Sequence, residues 1–434
     1  MAKLAINGGK KVREKLFPAY NYIDDNEINA VTNVLKTGKL SQFLGCWDPD
    51  FFGGKEVREM EEHYASYFGS KHAIAVNSNT SGLICAIGAA GIGPGDEVIV
   101  SPYTMSASAS SVLVFNGVPV FADIEPDFFC LDPKSVEEKI GPYTKAIVVV
   151  DIFGQPYNAE AIRKIAKKHN LIIIEDSAQA PGALYNGKYA GTLGDMGVFS
   201  LNYHKHIHTG EGGVVVTDSD ELADRLRLIR NHAEAVIEEK GNRNLNNMLG
   251  FNFRMTEIEA VIAKEQLKKL KNLLAPRLEN CKYISEQITT LPMIKDPGIR
   301  EGCTHVYYQQ PFLFDQNIAG ISRNKFIDAV AAELSPTALR ETEGIQLSSG
   351  YVKPLYLQPL YQNKQVYGDS HFPFEPPYYK GNVSYEKGIC PVTESLHYEK
   401  LFTNELMHPP FTKDDLNDVV NAFHKVAENI NELR

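Results

Sequence analysis

Between residues 70 and 220 short apolar runs alternate with amphipathic stretches, the pattern of strands that each feed a helix. Strands are predicted at 72–77 (HAIAVN), 98–101, 118–123 (VPVFAD), 145–153 (KAIVVVDIF), 171–174 (LIII), 197–201 (GVFSL) and 214–217. Helices are predicted at 83–90, from Asp132–Pro133 onward, at 159–169 and at 219–231. Such alternation reads as a mainly parallel sheet in an α/β fold. Upstream, 26–35 follows an Asp-rich start and 56–68 places Val57, Met60, Tyr64 and Tyr67–Phe68 on one side, so both read as helices. Residues 37–54, rich in Gly and aromatics, read as a loop. Downstream, 256–288 reads as a long helix interrupted near Pro276, 306–314 as a strand, 323–334 as a helix and 412–433 as a closing amphipathic helix. The stretch 346–361, rich in Tyr, Pro and Leu, reads as a loop.

The apolar run 171–174 ends at Glu175–Asp176, which delivers a carboxylate to the C-terminal edge of the sheet, where α/β proteins bind ligands. A second strand, 197–201, is followed closely by Lys205. Alone, Asp176 reads as a helix cap and Lys205 as a surface charge. Together they are the parts that a pyridoxal phosphate site requires: a lysine to carry the cofactor as a Schiff base, and an acidic group at its ring nitrogen. A nearby negative charge keeps that nitrogen protonated, and the lysine must have a lowered pKa to act as nucleophile and proton carrier. After the strand at 72–77, the turn Ser78-Asn79-Thr80-Ser81-Gly82 opens a helix directly, so free N–H groups and hydroxyls could meet a phosphate. An ordinary Ser/Thr N-cap is the plainer reading of the same turn.

The surrounding residues decide between these readings. EDSAQAPGA, GTLGDMGVFS, a lysine five residues after Ser200, and then GEGG resemble, in order, the spaced motifs of the DegT/DnrJ/StrS family of sugar aminotransferases. Residues 54–69 also resemble that family. The resemblance implies an aspartate-aminotransferase-like fold (type I, dependent on pyridoxal 5′-phosphate). A large domain, residues 16–270, would hold a mainly parallel seven-stranded sheet. Residues 271–434, with the N-terminal segment 1–15, would form a smaller α+β domain. It further implies Lys205 as the Schiff-base lysine and Asp176 at the ring nitrogen. Gln179 would lie against the ring or its 3′ oxygen, with Thr80, Ser81 and Ser200 on the phosphate. Asn79 stands where the family has Gly, a place an Asn can take because it tolerates left-handed backbone. Met105 falls where an aromatic residue stacks on the ring, with Tyr103 as the alternative. Asn252, beside Arg254 in a Gly-x-Asn-x-Arg-like segment, would reach the cofactor phosphate of a neighbouring subunit, which implies a homodimer with shared sites. The implied reaction moves an amino group from glutamate or glutamine to a keto sugar, nucleotide-linked, or to a keto-cyclitol. A nucleotide-sugar 3-dehydratase, which in this family carries His in place of the lysine, is the rival.

Composition adds limits. The formal net charge of −10 over 434 residues argues against a general nucleic-acid binder. No run of 18 apolar residues is present to span a membrane, and the basic N-terminus lacks a signal-peptide core. Six scattered cysteines without zinc spacing fit reduced thiols in a cytoplasmic protein. His204, His206 and His208 alternate around Lys205 and could share a face on an extended chain, but no acidic or cysteine ligand stands at a matching spacing. They are expected to line the lysine pocket or bond locally, and no metal is implied.

Overall fold

Seven of the apolar runs form one sheet. In this computed structural model, which describes residues 3–241 and 244–434, the strands are β1 (His72–Val76), β2 (Glu97–Val100), β3 (Val118–Phe121), β4 (Thr144–Val150) and β5 (Ile172–Asp176). A small hairpin, β6 (Leu184–Tyr185) and β7 (Lys188–Tyr189), precedes β8 (Met196–Ser200) and β9 (Gly213–Thr217). The order is β1-β9-β8-β5-β4-β2-β3. β8, β5, β4, β2 and β3 pair in parallel, and β9 lies antiparallel to both β1 and β8, so β9 alone is reversed. Both faces are covered, as a parallel sheet requires. Ala146 and Val148 of β4 enter one apolar cluster while Ile147 and Val149 enter the cluster on the other face, the two-residue alternation of a strand.

The helices end where local chemistry says they should. Asp24 and Glu27 form a capping box at Asp25–Thr37. Asn158 caps Ala159–His169, and left-handed Asn170 closes it. The helix Lys55–Phe68 buries Val57, Met60, Tyr64 and Phe68, the face expected from their spacing.

The long helix differs from expectation: Glu257–Ile288 runs unbroken through Pro276. A mid-helix proline costs about 3 kcal/mol, and here Leu270, Leu273, Leu274 and Cys281 are all buried around it. The same helix feeds two cores. Leu267 to Leu274 pack with β9 and the helix Lys55–Phe68, whereas Cys281, Ile284 and Ile288 pack with a second sheet. That antiparallel sheet comprises β10 (Ile294–Lys295), β11 (Gln310–Phe314), β12 (Leu347–Ser349) and β13 (Leu401–Asn404), in the order β10-β11-β13-β12. Helices Arg323–Ala332 and Lys413–Glu428 cover it. The two cores support, as a proposal, the division into residues 16–270 and 271–434 with 1–15. Phe17 packs in the second core, while Tyr356, Tyr361, Tyr379 and Tyr385 return to the large sheet, in the cluster that holds Ala146 and Val148.

Two further differences shape the site. The strand expected over 306–314 begins only at Gln310, because Val306 and Tyr308 donate their N–H groups to Gly154 and Phe153 (2.9 and 2.7 Å), and Tyr307 between them is left-handed. The stretch 346–361 contains β12.

Candidate active site

A cavity of about 490 Å³ opens at the edge where the six co-directional strands of the large sheet end or turn toward helices. Ser78, Asn79 and Thr80 follow β1, Thr104 and Met105 follow β2, and Val150, Asp176 and Ser200 end β4, β5 and β8. This is the ligand crevice expected of an open α/β sheet.

Lys205 enters the cavity from a loop tied shut across its base. Leu201 and Tyr203 donate N–H groups to Gly212 and Gly210, and Lys205 donates its own to Asn202, each at 2.9 Å. The side chain is 8 % exposed, with Nζ 4.1 Å from the centre of the Tyr308 ring. Burial lowers its pKa to about 8, although the carboxylates of Asp176 and Glu405 pull in the opposite direction. An ordinary lysine titrates near about 10.4. Condensation of the cofactor-free protein with a carbonyl probe at Lys205 is therefore expected to rise with pH and level off above about 8. A midpoint near 10 in the measured rate–pH profile would contradict this.

Asp176 is 4 % exposed. Its carboxylate accepts Ser108 Oγ at 2.6 Å, Ala178 N at 3.3 Å and Asn79 Nδ2 at 3.4 Å. Burial raises its pKa, against those hydrogen bonds and the charge of Lys205. Among the described residues no cation lies within ion-pair distance of it. A buried carboxylate and an amine on the walls of one cavity, the amine without a hydrogen-bond partner among the described residues, fit the ring nitrogen and the carbonyl carbon of pyridoxal phosphate.

The phosphate end differs in detail from expectation. Thr80 is exposed on the cavity wall, and Ser200 lines it at the end of β8. Ser81 is buried and gives its hydroxyl to Asn77 Oδ1 at 2.6 Å, outside the cavity lining, while Ser78 lines the cavity and caps the helix Asn79–Ala89. Asn79 takes helical backbone as the first residue of that helix, so left-handed tolerance is not used. Its amide instead spans to Asp176 and to the Val198 carbonyl (3.3 Å). Two glycines let this turn sit on the sheet. A Cβ on Gly82 would lie 2.6 Å from Val198 Cγ1, and one on Gly213 would lie 2.6 Å from Ser78 C and 2.7 Å from Asn79 N. Gly213→Ala is expected to push the turn outward, cost about 1–3 kcal/mol of stability and weaken phosphate affinity. Thermal melts and pyridoxal phosphate titration would show it, and unchanged affinity would refute it.

Gln179 accepts the Phe153 N–H at 2.6 Å and donates to the Tyr351 hydroxyl at 3.0 Å, so its amide plane is fixed at the cavity. Met105, 54 % exposed, lines the cavity. Tyr103 does not: it is fully buried behind, with its hydroxyl accepting the Tyr351 N–H at 2.7 Å. Asn252 stands away from the cavity, exposed, accepting Arg254 Nε at 2.8 Å. The three histidines sit in turns and diverge. His204 lines the cavity with Nε2 3.5 Å from Glu343 Oε1, buried His206 bonds the Val306 carbonyl at 2.9 Å, and His208 faces a side cavity with Tyr20 and His408. Ser108, Tyr308, Arg340 and Glu405 were not singled out by sequence, and each reaches the cavity region from a segment with no motif of its own.

Over residues 21–374 the chain matches the DegT/DnrJ/EryC1/StrS aminotransferase family. It is 31 % identical to an L-glutamine:2-deoxy-scyllo-inosose aminotransferase of Streptomyces kanamyceticus, over 98 % of this chain and 97 % of that protein. It is 37 % identical to the GDP-perosamine synthase of Caulobacter vibrioides, over 68 % of this chain and 79 % of that one. The crystal structure of an aminotransferase from Psychrobacter cryohalolentis superposes with a TM-score of 0.78 at 30 % identity, covering 96 % of this chain and all of that one. The fold is that of the aspartate-aminotransferase-like, type I enzymes. With the cavity, its lysine and its aspartate at the sheet edge, these likenesses make the chain a member of the DegT/DnrJ/EryC1/StrS aminotransferase family.

Proposed function

We propose that this aminotransferase moves an amino group from glutamate or glutamine to a keto sugar carried on a nucleotide, using pyridoxal 5′-phosphate. The observation that carries the reading is the pair Lys205 and Asp176, both buried on the walls of one cavity, with a lysine pKa lowered to about 8. When bound, the cofactor supplies an electron sink for the carbon that loses or gains the amino group. Lys205 Nζ holds the cofactor and, once displaced by a substrate amine, carries the proton to and from the reacting carbon. Asp176 keeps the ring nitrogen protonated. Thr80, Ser200 and Ser78, with the start of the helix Asn79–Ala89, hold the phosphate, and Ser81 acts only behind them, bracing the Ser78 hydroxyl at 2.9 Å. Met105 and Gln179 bound the ring. Asn252, exposed and outside its own cavity, completes the phosphate site of a partner subunit in a homodimer.

A keto-cyclitol is a second acceptor reading, favoured by the likeness to the scyllo-inosose enzyme over nearly the whole chain. The dehydratase reading needs a histidine in the lysine's place, and His206 and His204 are already engaged with Val306 and Glu343. The six cysteines are unpaired, which supports a reducing, cytoplasmic setting. Among the described residues no helix is long and apolar enough to cross a membrane.

The test is the absorbance spectrum of the purified protein, before and after borohydride, with glutamate and glutamine added in turn. A visible cofactor band that one donor bleaches and borohydride fixes onto Lys205 supports the reading. Failure to bind pyridoxal phosphate at all would refute it.

A further inference from the structure

An enzyme of this class admits two unlike substrates to one cavity: an amino acid with a charged α-carboxylate, and an acceptor without one. Among the described residues a single guanidinium lines the cavity, that of Arg340. Its Nε and Nη2 donate to Glu343 Oε2 at 2.9 and 2.6 Å, and Nη1 donates to Glu405 Oε2 at 3.0 Å. A guanidinium has five N–H donors in a planar fork. Among the described residues three are used, so each terminal nitrogen keeps an N–H, and release of Glu405 frees Nη1 fully to grip a carboxylate together with Nη2. Glu405 also lines the cavity and has a second anchor, because its other oxygen accepts Gln309 Nε2 at 2.6 Å. It can release Arg340 without being left unpartnered. Both charges lie close enough to Lys205 and Tyr308 to be felt there: Glu405 raises the Lys205 pKa, and Glu405 and Arg340 act with opposite sign on Tyr308.

We propose that Arg340 binds the α-carboxylate of the amino donor, and that Glu405 occupies Arg340 when the acceptor is in the cavity. The proposal rests on the aminotransferase reading and names the residue that selects its donor. The α-carboxylate is the group that glutamate and glutamine share. Arg340 thus matches both, and Glu405 neutralises it when no carboxylate is present.

The test uses the cofactor-loaded protein and two readouts. The first is calorimetric binding of glutaramate, which keeps the carboxylate and amide of glutamine but has no amine to react. The second is the concentration dependence of band bleaching by L-glutamine and by L-glutamate. Arg340→Ala is expected to weaken glutaramate, and to raise the half-saturating concentration of both donors, by about 10- to 100-fold, the range of a charge-assisted hydrogen-bonded pair. Maximal bleaching rates should change less, and Arg340→Lys should recover part of the loss. Glu405→Gln, which removes the competing carboxylate, should tighten glutaramate, so the proposal does not depend on one variant folding. Unchanged glutaramate binding and unchanged donor saturation in Arg340→Ala would overturn it, as would an effect confined to glutamate, which would place Arg340 on the γ-carboxylate. If the wild-type protein binds glutaramate yet neither donor bleaches the band, the donor class in the proposed function fails and the carboxylate site stands.

Discussion

Lys205→Ala is expected to lower turnover by more than about 10⁴-fold, because in the proposed function one amine supplies both the attachment point and the proton carrier. Borohydride should then fix no cofactor to the protein. Loss of activity through unfolding can be separated from this. In the cofactor-free protein the lysine's folded pKa lies below its unfolded value, so the unfolded chain binds more protons between about pH 8 and about 10.4. Stability therefore rises with pH across that window, and at neutral pH the buried ammonium is a cost of about 3 kcal/mol. Removing it offsets the packing lost with the side-chain stem against Tyr308. The cofactor-free variant should melt no lower than the cofactor-free wild type at pH 7. A variant that keeps transamination, or that is inactive only because it unfolds, would remove Lys205 from its role.

What could be read from the sequence was what local chemistry dictates. The helix 159–169 was legible from the local sequence alone, and the structure reproduces those bounds and adds Asn158 as the cap. Asp176 and Lys205 were legible because each follows a strand whose apolar run fixes where it ends. Pro276 misled because propensity is local, while the burial that keeps the helix continuous comes from two separate cores. Ser81 and Tyr103 were assigned by position in a motif, but a side chain's direction depends on which neighbour takes its hydrogen bond: Asn77 takes the hydroxyl of Ser81, and the Tyr103 hydroxyl holds the Tyr351 N–H. Ser108 is one of several serines in a helix, and nothing local separates it from Ser111 until the sheet brings Asp176 within 2.6 Å. Tyr308 escaped for a similar reason. It was read as part of a strand over 306–314, and the Phe153–Gly154 turn captures that backbone and sets the ring beneath Lys205. Arg340 and Glu405 lie 65 residues apart, so their pairing carries no sequence signal.

Asp176→Asn isolates a single charge. The amide oxygen can still accept the Ala178 N–H, and the Ser108 hydroxyl can turn to accept from the new amide, so the hydrogen-bond frame that now holds the carboxylate survives. What disappears is the negative charge that the proposed function sets at the ring nitrogen, where it would favour the protonated ring by about 1–3 pH units. The variant is expected to bind pyridoxal phosphate more weakly and to lose about 10²- to 10³-fold in kcat, the scale of removing one preorganised electrostatic contact. A pH titration of the bound cofactor should show the ring nitrogen losing its proton at lower pH. The stability sign is the reverse of what a lost salt bridge would give. Burial holds the folded pKa of Asp176 above its unfolded value, so ionising it costs stability as pH rises through that interval. Removing the charge relieves that cost, and the cofactor-free variant should melt at least as high as wild type at pH 7. Wild-type kcat in this variant would mean that the carboxylate serves the fold and not the cofactor. A loss of kcat with melting unchanged or raised would assign Asp176 to the chemistry.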